Sequence, residues 1–179
     1  MNTRPRDDEF APFYRPYVER VPDGDLLETL ESEMHRTIDL LDPLDDEAGA
    51  RRYAEGKWSL KEVLGHVVDG ERAFALRALA FARSDPEPFP SFDEQLYVRT
   101  GRFDARDLDS LLEEFRLVRL STLALLRSFP PDVWDRRGTA SGCEFTTRAQ
   151  AWILAGHQAH HADGREERYL GEARRAGES

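Results

Sequence analysis

Apolar residues along this chain recur mainly at spacings of three and four. Leu26, Leu27, Leu30, Met34, Ile38 and Leu41 form one such stripe, which predicts a helix from about Asp25 to Leu41. Asp23 or Asp25 can cap its start and Pro43 marks its end. A second stripe, Val63, Val67, Phe74, Ala78 and Phe81, follows Ser59-Leu60-Lys61-Glu62. That tetrad has the spacing of a capping box, in which Ser59 accepts from the Glu62 amide and Glu62 reaches back. A third helix is predicted from near Asp104 to about Ser128, with Leu108, Leu111, Leu112, Phe115, Val118, Leu123 and Leu126 apolar. The fourth begins near Thr146 or Thr147, where Thr147 and Gln150 have capping-box spacing, and ends near Leu170.

The intervening segments are polar or rich in proline. Residues 1–22 carry Pro12, Pro16 and Pro22 among Phe10, Phe13, Tyr14 and Tyr17, which predicts an extended arm laying its rings on the rest. Asp85 to about Thr100 is too long for a minimal helix hairpin, and a connection of that length often covers a site. Residues 130–134 read as one extra turn and Gly138–Gly142 as a flexible loop. Four long helices and no convincing strand predict an all-α, antiparallel four-helix bundle. The expected division is an N-terminal arm over 1–22, one bundle domain over 23–171 and a disordered tail over 172–179.

The chain has 179 residues, enough for one domain with a real core. Its net charge of -10, with acids outnumbering bases, argues against nucleic acid as a partner. No apolar run approaches the roughly 20 residues that cross a bilayer. The first residues lack the apolar segment of a secretory signal, and the one cysteine, Cys143, cannot form an internal disulfide. These features predict a cytoplasmic protein.

Three of the five histidines lie in Gly156-His157-Gln158-Ala159-His160-His161. His157 and His161 are four apart on a predicted helix, so they share a face and can bind one metal ion. His160 is about 100° further round and cannot easily join them. His66 borders the buried stripe of the second helix and is the candidate third ligand. Three neutral imidazoles suit Zn, Ni, Co or Fe and leave coordination positions open. The competing reading is a hydrogen-bonded core histidine. Zinc proteases of the His-Glu-x-x-His type place their general base where this chain has Gln158, so protease chemistry is disfavoured. Asp69 and Glu71 are candidates to orient a ligand imidazole, and Tyr53, Trp58 and Tyr97 to line a pocket. His35, His160, Cys143 and the acidic run from Asp42 to Glu47 read as incidental.

Gly-Lys-Trp-Ser-Leu-Lys-Glu-Val-Leu-Gly-His-Val-Val-Asp (56–69), the segment 71–83 and Ala-Gly-His-Gln-Ala-His-His (155–161) resemble the DinB/YfiT superfamily. The likeness runs from about Tyr17 to Leu170. It implies an up-down-down-up four-helix bundle with a three-histidine site matching His66, His157 and His161. It also implies a homodimer and a small-molecule substrate. Characterised relatives include transferases and an isomerase that use bacillithiol, mycothiol or glutathione. The resulting expectation is a divalent transition metal, Zn or Ni foremost, serving a thiol-dependent transferase or a hydrolase. A non-catalytic metal-binding or stress-related module is the alternative, and a helical interaction protein without metal a third.

Overall fold

The computed structural model describes residues 3–165 and Tyr169. Among them the chain forms seven α-helices: α1 (Arg15–Arg20), α2 (Leu26–Leu41), α3 (Asp46–Gly49), α4 (Leu60–Ala82), α5 (Glu94–Gly101), α6 (Leu108–Arg127) and α7 (Thr147–Arg165). The expected tail, 172–179, lies outside the described residues. The four long helices α2, α4, α6 and α7 make the bundle, in the order α2–α6–α4–α7 around its axis. No helix among the described residues is long and apolar enough to cross a membrane.

The caps explain where two of these helices begin. Asp25 accepts from the amides of Leu27 and Glu28. Ser59 accepts from Glu62 N while Glu62 accepts from Ser59 N, completing the box read from the sequence. Helix α7 starts where expected, at Thr147, but its cap differs. Thr146, not Thr147, accepts from the Ala149 amide at 3.0 Å, so the cap sits one residue earlier and Gln150 takes no part in it.

The apolar core falls into two halves. One gathers Leu26, Leu30, Phe74, Phe81, Leu123, Phe145 and Trp152; the other Met34, Leu41, Leu60, Leu64, Phe103, Leu111 and Phe115. Both α4 and α6 start in the second half and finish in the first, whereas α2 runs the other way. Consecutive bundle helices α4 and α6 are therefore parallel, which gives the up-down-down-up order. A parallel pair needs a connection that travels back along the helix, about 30 Å for 20 residues. Residues 83–107 do this, and they are not a bare loop: they carry α5 and a 3₁₀ turn at Phe103–Ala105. The third bundle helix accordingly begins at Leu108, the first residue of its stripe, and not near Asp104 as expected.

Two further expectations change. Residues 3–22 are not extended. They form 3₁₀ turns at Asp7–Glu9 and Pro12–Tyr14 and the short helix α1. Pro12 and Pro16 stand in first turns, where a missing N–H costs nothing. The expected loop at 138–142 is part of an antiparallel hairpin, β1 (Arg137–Ala140) with β2 (Cys143–Thr146), in register Arg137 with Thr146. Ser141 (φ 53°) and Gly142 (φ 75°) make its two-residue turn, whose hand matches strand twist. Phe89 donates to Thr139 O and accepts from Ser141 N, tying the long connection to the hairpin.

Candidate metal centre

His66 sits in mid α4, 2% exposed, and His157 in α7, 6% exposed. His161 lies one turn beyond His157 and is half-buried. One ring nitrogen from each falls within 4.8 Å of the others. The ring centroids are 4.9 Å apart for His66 and His157, 4.8 Å for His66 and His161, and 4.6 Å for His157 and His161. The Nε2 atoms of His66 and His157 stand 3.0 Å apart. Either one Nε2–H donates to the other, or both lone pairs face a common cation. Two nitrogens on a tetrahedral ion at 2.0–2.1 Å would be about 3.4 Å apart, so a small ring shift admits one.

Several features fit such an ion. Burial first, and then the charge of His160, hold the His66 imidazole down at about 4, so it is neutral near pH 7 as ligation requires. Gly70, one turn after His66, leaves room for the His157 ring: a Cβ there would lie 2.8 Å from its Cε1. The His66 Nδ1 is buried without a hydrogen-bond partner among the described residues, and packing orients the ring, with Trp58 at 5.0 Å and tilted by 47°. Tyr17 of α1 and Phe74 of α4 both pack edge-on against His157, at 5.7 Å and 5.5 Å.

Two cavities reach this cluster. The first, about 460 Å³, is lined by Arg20, Lys57, Trp58, Tyr53, Glu94, His160, His161 and Asp163. Arg20 pairs with Asp163 at 3.2 Å across its edge. The second, about 450 Å³, is lined by Phe13, Tyr14, Tyr17, Phe74, Arg77, Phe92, Glu94 and His157. Glu94 and Gln95, at the start of α5, belong to both. The Glu94 Oε2 lies 4.0 Å from the His66 Nε2.

The sequence candidates separate on these facts. The three predicted rings come together, and Tyr53 and Trp58 line the first cavity. Tyr97 does not line either cavity; it packs on Phe92 at 5.4 Å. Glu71 does not orient an imidazole, because its carboxylate is taken by Arg119. Asp69 lies 3.7 Å from Arg72, its carboxyl raised above the usual range by burial. His35 and Cys143 are exposed, and exposed His160 packs on Tyr17 at 5.5 Å. Glu94, Gly70 and Arg77 went unread. Glu94 and Gly70 have no local signature, since what matters is what the fold brings opposite them. Arg77 carried a weak signal, as a cation one turn beyond Phe74 on a buried stripe.

The DinB superfamily model matches residues 29–163. No curated protein sequence matches. Among solved structures the chain is similar to YfiT from Bacillus subtilis, described as a probable metal-dependent hydrolase with an unusual four-helix bundle topology. The TM-score is 0.71 at 16% identity, over 98% of this chain and 94% of that one. It is also similar to the mycothiol-dependent maleylpyruvate isomerase, with TM-score 0.64 and 16% identity over 83% of this chain. It spans 60% of the isomerase chain. At these identities the likeness shows the shared fold.

Proposed function

The chain belongs to the DinB superfamily, and from that premise we propose that it is a metal-dependent enzyme acting on a small molecule, either a transferase using a low-molecular-weight thiol or a hydrolase. His66, His157 and His161 would hold the ion, Zn or Ni. The observation that carries the reading is the convergence of three ring nitrogens beside an open cavity. A bound ion supplies Lewis acidity there, lowering the pKa of a ligated thiol or water toward neutrality.

The other parts come from the chain. Burial keeps His66 neutral and its lone pair available. Gly70 and Phe74 shape the space for the His157 ring. Glu94 stands where both cavities meet the cluster, and its Oε2 is the carboxylate oxygen positioned to take a proton from an entering thiol or water. Lys57 brings positive charge to the first cavity, where Arg20 is paired with Asp163, and a lysine there suits a polar thiol cofactor with an anionic group. The description of YfiT supports the hydrolase branch, and the mycothiol dependence of the isomerase supports the use of a thiol. Glu94 weighs against the non-catalytic module. A cytoplasmic homodimer completes the reading on the family likeness, and a solution mass of one chain would reject the dimer.

Elemental analysis of freshly purified protein tests the centre first. The expected result is about one transition-metal ion per chain, lost in His66→Ala and His157→Ala. Wild-type protein that holds no ion after reloading with Zn or Ni would end the proposal. Protein that binds the ion but turns over no thiol and electrophile pair and no hydrolysable substrate would leave the non-catalytic module.

A further inference from the structure

Among the described residues three cationic side chains are almost wholly buried: Lys61, Arg77 and Arg119, at 4%, 5% and 0% exposure. A buried ion is ordinarily paired, because removal from water is costly. Lys61 meets Asp46 at 2.6 Å and Arg119 meets Glu71 at 2.7 Å. Arg77 forms no ion pair with any carboxylate of the described residues. Its one hydrogen bond is donated by Nη2 to Pro90 O at 2.8 Å. Its guanidinium lies 5.9 Å from the ring centroids of both Phe74 and Phe92. A guanidinium has five N–H donors, so most of its capacity is unused.

This unpaired cation lines the second cavity, the one that ends on His157 and Glu94. The cavity is lined by the cation of Arg77, the carboxylates of Asp93 and Glu94, and the rings of Phe74 and Phe92 among other aromatics. We propose that the cavity is a second ligand subsite for a small carboxylate with a flat apolar body, and that Arg77 receives the carboxylate. The planar fork of Arg matches a carboxylate with two parallel hydrogen bonds. Phe74 and Phe92 sandwich the apolar part. The uncharged end then points toward His157 and the cluster, since Glu94 repels a second negative charge. The inference rests on the metal-centre reading for the purpose of the subsite. With it, the centre has one cavity for each of two substrates.

Benzoate and its neutral counterpart benzamide test this on the full chain by calorimetric titration, in metal-loaded and metal-stripped protein. Benzoate should bind saturably and at least about tenfold more tightly than benzamide in both forms. Arg77→Gln should weaken benzoate by about tenfold to a hundredfold, the range for a charged hydrogen-bonded pair, and leave benzamide and metal content unchanged. Arg77→Lys should keep a reduced preference for benzoate, and Phe92→Ala should weaken both probes. Those two variants read the site if Arg77→Gln does not fold. Equal binding of the two probes overturns the proposal, as does unchanged benzoate affinity in Arg77→Gln. A preference that vanishes on stripping also overturns it, because the carboxylate then sits on the ion. Absence of metal from the wild type would reject the metal centre while the stripped-protein titration still judges Arg77.

Discussion

Arg119 and Glu71 form a two-pronged pair inside the bundle, with Nε to Oε1 at 2.8 Å and Nη2 to Oε2 at 2.7 Å, and neither side chain reaches water. Two of the three remaining donors are used as well. Nη1 donates to Leu30 O and Nη2 to Gln158 Oε1, and Gln158 in turn donates to Thr37. The pair occupies the gap between the two apolar halves, after Val68 and before Phe74 on α4, and after Phe115 and before Leu123 on α6. It joins α2, α4, α6 and α7 at the level of the histidines.

Breaking this pair from one side should be expensive. Glu71→Ala leaves a buried guanidinium without its counter-ion, and the expected loss is about 3–5 kcal/mol in urea unfolding. Replacing both, with Glu71→Leu and Arg119→Met, should recover most of that loss. Equal losses in the single and double variants would show that the pair is not the cause.

Gly70→Ala should act on the site more than on the fold. Alanine gains about 1 kcal/mol of helix propensity, offset by about 1–3 kcal/mol of crowding against His157. The displaced imidazole should weaken metal binding by about tenfold, in line with other contacts that orient a ligand ring. Competition with a chromophoric chelator measures it, and unchanged affinity would show that the ring has slack.

Metal-free protein should lose stability on acidification through His66. The unfolded chain takes up this proton near pH 6.5, the folded chain only near 4. Between those values the unfolded state holds more protons, so stability falls as pH drops from 6.5 to 4 and is full above 6.5. The size is about 3 kcal/mol, from 1.36 kcal/mol for each pH unit. Urea midpoints measured from pH 4 to 8 should show the slope, and His66→Asn should flatten it.

Glu9 clamps the N-terminal segment to the start of α7. It is 1% exposed and accepts from Thr146 Oγ1 at 2.8 Å and from Arg148 Nη1 at 3.0 Å. Glu9→Ala removes two charge-assisted contacts, and the expected loss is about 2–4 kcal/mol. Protease cleavage within residues 3–22 should quicken in step, and an unchanged cleavage rate would place the clamp elsewhere.

What the sequence displayed was whatever repeats locally. The stripes of α2, α4 and α6 repeat every three or four residues, and the Ser59 box and the His157–His161 spacing are also local. His66 was visible only as a polar ring beside an apolar stripe, and its partners lie 91 and 95 positions away. The hairpin escaped because its strands are four residues long and carry charges at Arg137 and Glu144, so they show little apolar alternation. Helix α5 escaped because a proline-rich approach masks it and only Val98 of its eight residues is buried. Glu71 was misread because its nearness to His66 in sequence said nothing of Arg119, 48 residues on.

The passage from α4 to α6 exists because two successive helices run the same way and the chain must return. Its contacts with the interior are made by Phe89, Val98 and Phe103, which leaves Phe92, Glu94 and Gln95, on the cavity walls beside the histidines, open to change. One wall of both cavities is thereby written in a stretch of sequence separate from the helices that carry the imidazoles. Grafting a different 83–107 segment onto the same helices should retarget the centre while the imidazole triad stays in place.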